Sequence, residues 1–214
     1  MKHQRQRQEI ADACKQLLID HLVVGTAGNA SMRIDDAVLI SPSGFDYRLM
    51  GPEHVVVVDL DGNVIEGDYQ PSSELPLHLA IYKSTTQQAI VHTHAVASTA
   101  MSLVVDEVPT SHYYSAMFGG AVRVAKYATY GSSELAENVE TALQNRTAAL
   151  MSNHGAVSVG ATLSKAYDQL QYLEYICDIQ LRAMATGKDI KVLSQEEIAK
   201  VAGMLSTYGQ QPKP

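Results

Sequence analysis

Apolar positions follow two rhythms along this chain, one of three to four residues and one of two. Ile10, Cys14, Leu17, Leu18 and Leu22 recur at helical spacing and predict an amphipathic helix over about residues 6–22, ended by Gly25 and Gly28. Short apolar runs at 32–34 and 37–40 flank Asp35-Asp36, and runs at 55–60 and 63–66 flank Asp61-Gly62-Asn63, which predicts two hairpins. Pro71-Ser72-Ser73-Glu74 reads as a helix start, with serine as N-cap and Pro76 tolerated in the first turn, and the helix runs to about residue 84. A buried strand at 89–93, a helix at 97–104 and a strand at 122–125 follow. Ser132 or Ser133 then caps a helix to about residue 145. Strands at 147–151 and 156–159 flank Asn153-His154-Gly155. The longest helix spans about 164–185, with Leu170, Leu173, Ile176/Cys177, Leu181 and Met184 on one stripe and Gly187 as its stop. A last helix opens on the capping box Ser194-Gln195-Glu196-Glu197 and closes near Gly209, leaving 210–214 as a loose tail. No repeat or linker interrupts the pattern, so one α/β domain over residues 1–214 is expected.

Composition narrows what such a domain can do. With 214 residues, 46% of them apolar, the chain can bury a core without help, so a bound metal would be catalytic rather than structural. The net charge of −7 argues against nucleic-acid and anionic-membrane partners but allows a phosphorylated small molecule captured by local donors. Cys14 and Cys177 fall on helical segments with no CxxC, as expected of packed thiols in a reduced compartment. The first eight residues are polar and basic, and no apolar run of about 18 residues follows, so a soluble cytoplasmic protein is expected.

The sharpest chemical signal is His92-Thr93-His94 at the end of a predicted strand. Residues i and i+2 of a strand project from one face, so two imidazoles can reach one metal ion, although two interior or solvated histidines have the same spacing. His154, in a glycine turn after another strand, offers a third nitrogen; taken alone it also reads as a turn histidine bonded to backbone. Three histidines would leave one coordination position open, as catalytic zinc sites do. Glu74 in the first turn of a helix is either a helix-dipole carboxylate or an acid/base beside the ion. Segments 25–31 (GTAGNAS), 41–44 (SPSG) and Ser72-Ser73 look like anion-binding loops or plain turns, and neither a Walker lysine nor GxGxxG is present.

Taken in order, GTAGNAS (25–31), SPSG (41–44), PSSE (71–74), VHTHA (91–95), HYY (112–114), YATYGSSEL (127–135) and NHG (153–155) resemble the class II aldolase/adducin family, most closely its L-fuculose-1-phosphate aldolase branch. The resemblance implies a central, largely antiparallel β-sheet flanked by helices, and a homotetramer with active sites at subunit interfaces. It implies that His92, His94 and His154 bind one zinc ion per subunit, and that Glu74 both binds metal and serves as acid/base. Gly28, Asn29, Ser43, Gly44, Ser72 and Ser73 match phosphate-binding positions. Tyr113 matches a catalytic tyrosine that reaches a neighbouring subunit's site, and Tyr208 a C-terminal tyrosine of the same kind. The implied reaction is cleavage of a ketose 1-phosphate, foremost L-fuculose 1-phosphate, to dihydroxyacetone phosphate and L-lactaldehyde. The ion would act as Lewis acid, Glu74 would move a proton, and Tyr113 would exchange one with the aldehyde oxygen. Tyr130 stands where that branch carries Phe, Tyr114 adds a second phenol beside Tyr113, and Ser43 replaces a threonine. The first two would border the aldehyde pocket. Alternatives within the family are a 5-deoxyribulose-1-phosphate aldolase, a pentulose-5-phosphate 4-epimerase (disfavoured because those enzymes carry Asp at the position of Glu74), a methylthioribulose-phosphate dehydratase and a non-catalytic adducin-like interaction module.

Overall fold

The computed structural model describes residues 2–208. In chain order the elements are α1 (Gln4–Ile19), β1 (Asn29–Ile34), β2 (Ala37–Ile40), β3 (Val56–Asp59), β4 (Val64–Glu66), α2 (Leu75–Ser84), β5 (Ala89–Thr93), α3 (Val96–Ser102), β6 (Glu107–Val108), β7 (Val122–Ala125), α4 (Ser133–Leu143), β8 (Ala148–Met151), β9 (Gly155–Gly160), α5 (Leu163–Met184) and α6 (Gln195–Leu205). Among the described residues the strands form one sheet in the order β4-β3-β2-β1-β5-β9-β8-β7-β6. Each pairing is antiparallel except β7 with β8, so the expected largely antiparallel sheet flanked by helices is present.

Strand alternation divides the interior into two layers. Leu39, Val57, Ala89, Val91, Ala148 and Leu150 face one side, against Ile10, Cys14 and Leu17 of α1, Met101 of α3 and Leu170, Leu173 and Cys177 of α5. Their neighbours Val38, Ile40, Val58, Ile90, Ala149 and Val157 face the other, against Leu77 and Ile81 of α2 and Leu135 and Val139 of α4. His92 is two residues beyond Ile90 and therefore emerges on the α2 side. Arg7 is buried on α1 and ties that helix to the sheet edge through Glu66, at 3.0 Å, and the Val55 carbonyl.

Three departures from the expected elements matter for the site. Strand β1 begins at Asn29, not residue 32, because its first residues pair with β5, Asn29 opposite His92 and Ser31 opposite Ile90. Helix α2 begins at Leu75, and its N-cap is Glu74 rather than a serine. The Ser72 N–H is instead spent on the Ser41 carbonyl at 3.1 Å and Ser43 N–H on Gln70 at 2.9 Å, while Pro42 and Pro71 form a bridge. Segments 41–44 and 70–74 thus run side by side. Third, α6 ends at Leu205 rather than near Gly209, and β6 and a 3-10 turn at Tyr113–Phe118 were not foreseen. The expected loose tail, 210–214, lies outside the described residues.

Candidate active site

Three separate junctions bring the predicted metal ligands together. His92 is the penultimate residue of β5, and His94 follows one residue beyond the strand. His154 sits in the turn between β8 and β9, closed by its N–H to the Met151 carbonyl at 3.1 Å, with Asn153 in left-handed conformation, which Asn tolerates well. Gly155 starts β9 so close to β5 that a Cβ there would collide with the Thr93 carbonyl oxygen. Glu74 enters from the start of α2. One ligand atom from each of Glu74, His92, His94 and His154 lies within 4.8 Å of all the others.

The donor set fits a divalent cation. His92 donates Nδ1–H to the Ala156 carbonyl at 2.9 Å, which turns the Nε2 of its neutral form into the cluster. There Nε2 lies 2.8 Å from His94 Nε2 and 3.0 Å from Glu74 Oε2, while His154 Nε2 is 3.3 Å from Glu74 Oε1. Ligands about 2.0–2.1 Å from a tetrahedral ion are separated by roughly 3.3 Å, close to these spacings. Glu74 Oε1 is buried and makes no hydrogen bond, an acceptor with a deficit that a cation would satisfy. Burial, with the neighbouring His92 ring, pulls both His94 and His154 down to about 4, keeping them in the neutral form that ligates. Burial opposes charge on Glu74 and His92 as well, but each partner outweighs it. The Glu74 carboxyl is held well below the usual carboxylate range, chiefly by His92, and His92 is raised by Glu74.

A cavity of about 350 Å³ opens over this cluster. Its wall includes Gly28, Asn29, Ser43, Gly44, Ser72 and Ser73, all six positions matched to phosphate binding, together with Glu74, His94 and His154. Tyr127 and Tyr130 form its outer rim, so Tyr130 borders the pocket as expected. His92 lies beneath, fully buried. Tyr113 and Tyr208 are not among the lining residues. Tyr113 is 44% exposed and stacks on His112 and Tyr114, and Tyr114 packs on Tyr172 rather than on the pocket; Tyr208 is 84% exposed.

The comparisons with known proteins agree with this geometry. A family model, Class II Aldolase and Adducin N-terminal domain, matches residues 8–181. The chain belongs to this family. It is similar to an L-fuculose phosphate aldolase of Escherichia coli O6:H1, 39% identical over 211 residues covering 98% of each chain. It is also similar to a 5-deoxy-D-ribulose 1-phosphate aldolase of Bacillus thuringiensis serovar kurstaki, 35% identical over 97% of this chain and 99% of that one. A solved structure of an L-fuculose 1-phosphate aldolase superposes with a TM-score of 0.92 at 35% identity, over 96% of this chain and 98% of that one. Family and ligand set together make the protein a class II aldolase, a lyase with a divalent-metal site.

How the aldolase holds Glu74 was not foreseen. Asn29 Nδ2 donates to Glu74 Oε2 at 2.9 Å, and Asn29 Oδ1 lies 2.5 Å from His78 Nε2. His78 Nδ1 is 2.6 Å from Ser31 Oγ, which is 2.8 Å from the Tyr82 hydroxyl. Ser31, His78 and Tyr82 are fully buried, and burial pulls His78 down to about 3. The signal was present in two rhythms: Glu74, His78 and Tyr82 recur every four residues on one helix face, and Asn29 and Ser31 alternate on one strand face. Tyr47 was missed too. Its buried hydroxyl donates to the Gly28 carbonyl at 2.6 Å and fixes the first phosphate loop.

Proposed function

We propose that this aldolase uses zinc to cleave L-fuculose 1-phosphate to dihydroxyacetone phosphate and L-lactaldehyde, as a homotetramer whose sites lie at subunit interfaces. The observation that carries the reading is the convergence of all six phosphate-matched residues and a His3-Glu cluster on one small cavity. Backbone N–H groups near Gly28 and Gly44, the Asn29 amide and the serine hydroxyls are neutral donors that hold a phosphate without the global positive field this acidic chain lacks. His92, His94, His154 and Glu74 would hold the ion, which when bound supplies Lewis-acid polarisation of the sugar's oxygens.

Breaking the C3–C4 bond of the ketose requires the C4 hydroxyl to lose a proton as its C–O bond becomes a carbonyl, and C3 to gain one as it takes the bonding electrons. Glu74 Oε1, free of other hydrogen bonds on a residue that lines the cavity, is assigned the proton at C3. Tyr113 of a neighbouring subunit is assigned the proton of the C4 oxygen; its exposure and its distance from its own cavity's lining support a role across an interface. The similar solved structure and the Bacillus relative are both named for ketose 1-phosphates, so the aldehyde half is what remains to be chosen, by the rim of Tyr127 and Tyr130.

The test is a panel of ketose phosphates, including L-fuculose 1-phosphate and 5-deoxyribulose 1-phosphate, assayed for dihydroxyacetone phosphate release before and after chelation. L-Fuculose 1-phosphate is expected to give the highest kcat/KM, with activity lost on metal removal and restored by Zn²⁺. Glu74→Gln should retain the fold and lose about 10²–10⁴-fold in kcat. Turnover that survives complete metal removal would sink the mechanism, and preference for the 5-deoxy sugar would reassign the substrate.

A further inference from the structure

We propose that His78 is a positioning residue that acts through Asn29 to hold Glu74 with one carboxylate oxygen bound and the other presented to the metal and substrate. This rests on the aldolase reading of the cavity. Hydrogen-bond polarity fixes the direction of the row. A metal-binding carboxylate only accepts, so the Asn29 group facing Glu74 Oε2 is its NH2, and its carbonyl faces His78. His78 must then donate from Nε2, which leaves Nδ1 as an acceptor. Ser31 supplies that proton, and the Tyr82 hydroxyl in turn donates to Ser31.

Every donor in the row Tyr82, Ser31, His78, Asn29 points towards Glu74. Four aligned bonds, running from a fully buried layer to the cavity wall, polarise one another in the sense that favours negative charge on the carboxylate. They also prevent the Asn29 amide from flipping. A flipped amide would set its oxygen against the carboxylate and its NH2 against the His78 N–H, two repulsive contacts, the second of them at a fully buried ring. Glu74 Oε2 is therefore committed, and Oε1 is left as the free acceptor.

The second Asn29 N–H is not used by Glu74, and Asn29 lines the cavity beside the phosphate loops. One amide thus touches both the substrate's side and the carboxylate, and His78 sets its orientation. A helix position on a buried sheet face is ordinarily apolar. An imidazole with polar partners at both nitrogens there is a costly choice, accounted for if it orients what lies next in the row.

The test combines two readouts. Histidine 15N NMR on metal-free wild-type protein should find His78 neutral with its proton on Nε2. A proton on Nδ1 would reverse the row and overturn the proposal. Kinetics then use His78→Leu, His78→Gln, Asn29→Ala and the Asn29→Ala/His78→Leu pair. His78→Leu should lower kcat about 10–100-fold while KM changes under about threefold, and weaken metal affinity, read by chelator competition, by a similar factor. His78→Gln, whose amide N–H stands in for Nε2–H, should recover most of both. In the Asn29→Ala background the His78→Leu change should cost less than about twofold more, because its effect passes through Asn29. Equal losses for Gln and Leu, or additivity in the double variant, would reduce His78 to packing. If wild-type protein cleaves no ketose phosphate, the aldolase reading fails while the tautomer and the metal affinities still judge the row.

Discussion

Burial of His78 as a neutral imidazole has a measurable consequence for acid stability. In the unfolded chain a histidine takes up a proton near pH 6.5, whereas in the folded protein burial postpones this to about 3. Between those values the unfolded state binds more protons, so stability falls as pH falls. The contribution is fully present above about pH 6.5 and is lost progressively down to about pH 3, at up to about 1.4 kcal/mol per pH unit. Integrated from pH 7.5 to pH 5.0, the loss from this one residue is about 2 kcal/mol. His94 and His154, pulled down to about 4, lose stability over much of the same range, so the useful quantity is a difference. Urea unfolding of chelator-treated wild type and His78→Leu, at pH 7.5 and at pH 5.0, gives a stability gap at each pH. Removing the imidazole's hydrogen bonds changes both gaps alike. The gap should nevertheless shrink by about 2 kcal/mol at the lower pH, because only wild type carries the penalty there. Direct NMR titration should find the wild-type ring neutral throughout. A gap independent of pH, or a ring that protonates above pH 5, would refute the reasoning and mean that solvent reaches the layer between α2 and β1.

Two further outcomes follow from the geometry. Gly28→Ala places a Cβ at a backbone φ of +77°, 2.5 Å from Val23 Cγ1 and 2.8 Å from the His92 carbonyl oxygen. Left-handed strain and the backbone collision together should cost about 2–3 kcal/mol in urea unfolding and weaken metal affinity by displacing His92; wild-type values for both would show that the loop yields freely. If Tyr113 serves a neighbouring subunit's site, mixing inactive Glu74→Gln and Tyr113→Phe subunits under conditions that exchange subunits should restore part of the activity, and a mixture as inactive as its components would place both groups in one subunit.

The helices and most strands were legible because each buries one face, and burial writes its period into the sequence. The two-residue rhythm that sends Val57 to α1's side and Val58 to α2's also sends His92 towards α2, so the shared face of the HxH pair could be read from local pattern, although its ligand role could not. Asn29 could not. Its strand forms by pairing with β5, some sixty residues on, and until that register is known the two glycines of GTAGNAS read as a loop. PSSE looks like a cap with Glu74 in the first turn; in the structure the Ser72 N–H bonds the Ser41 carbonyl, the Ser72 hydroxyl accepts the Glu74 N–H at 3.2 Å, and Glu74 is the residue at which the chain enters the helix. Tyr113 and Tyr208 illustrate a different limit: family resemblance alone singles them out, and neither lines this subunit's cavity.

The face of α2 that meets the sheet carries the plainest trade between stability and function. Leu77, Ile81 and their neighbours bury apolar surface there as a structural helix would. Glu74, His78 and Tyr82 occupy the adjoining stripe, against Asn29 and Ser31 where Leu or Val would pack more cheaply. Each of these polar groups adds a desolvation cost that its partners only offset, and the cost rises steeply once one partner is lost. Such a layer tolerates apolar substitution as a set better than it tolerates loss of one member. A chain that needed only to fold would gain by replacing the whole row. The row is accounted for by the one group in it that lacks a hydrogen-bond partner, Glu74 Oε1, whose placement the other members set.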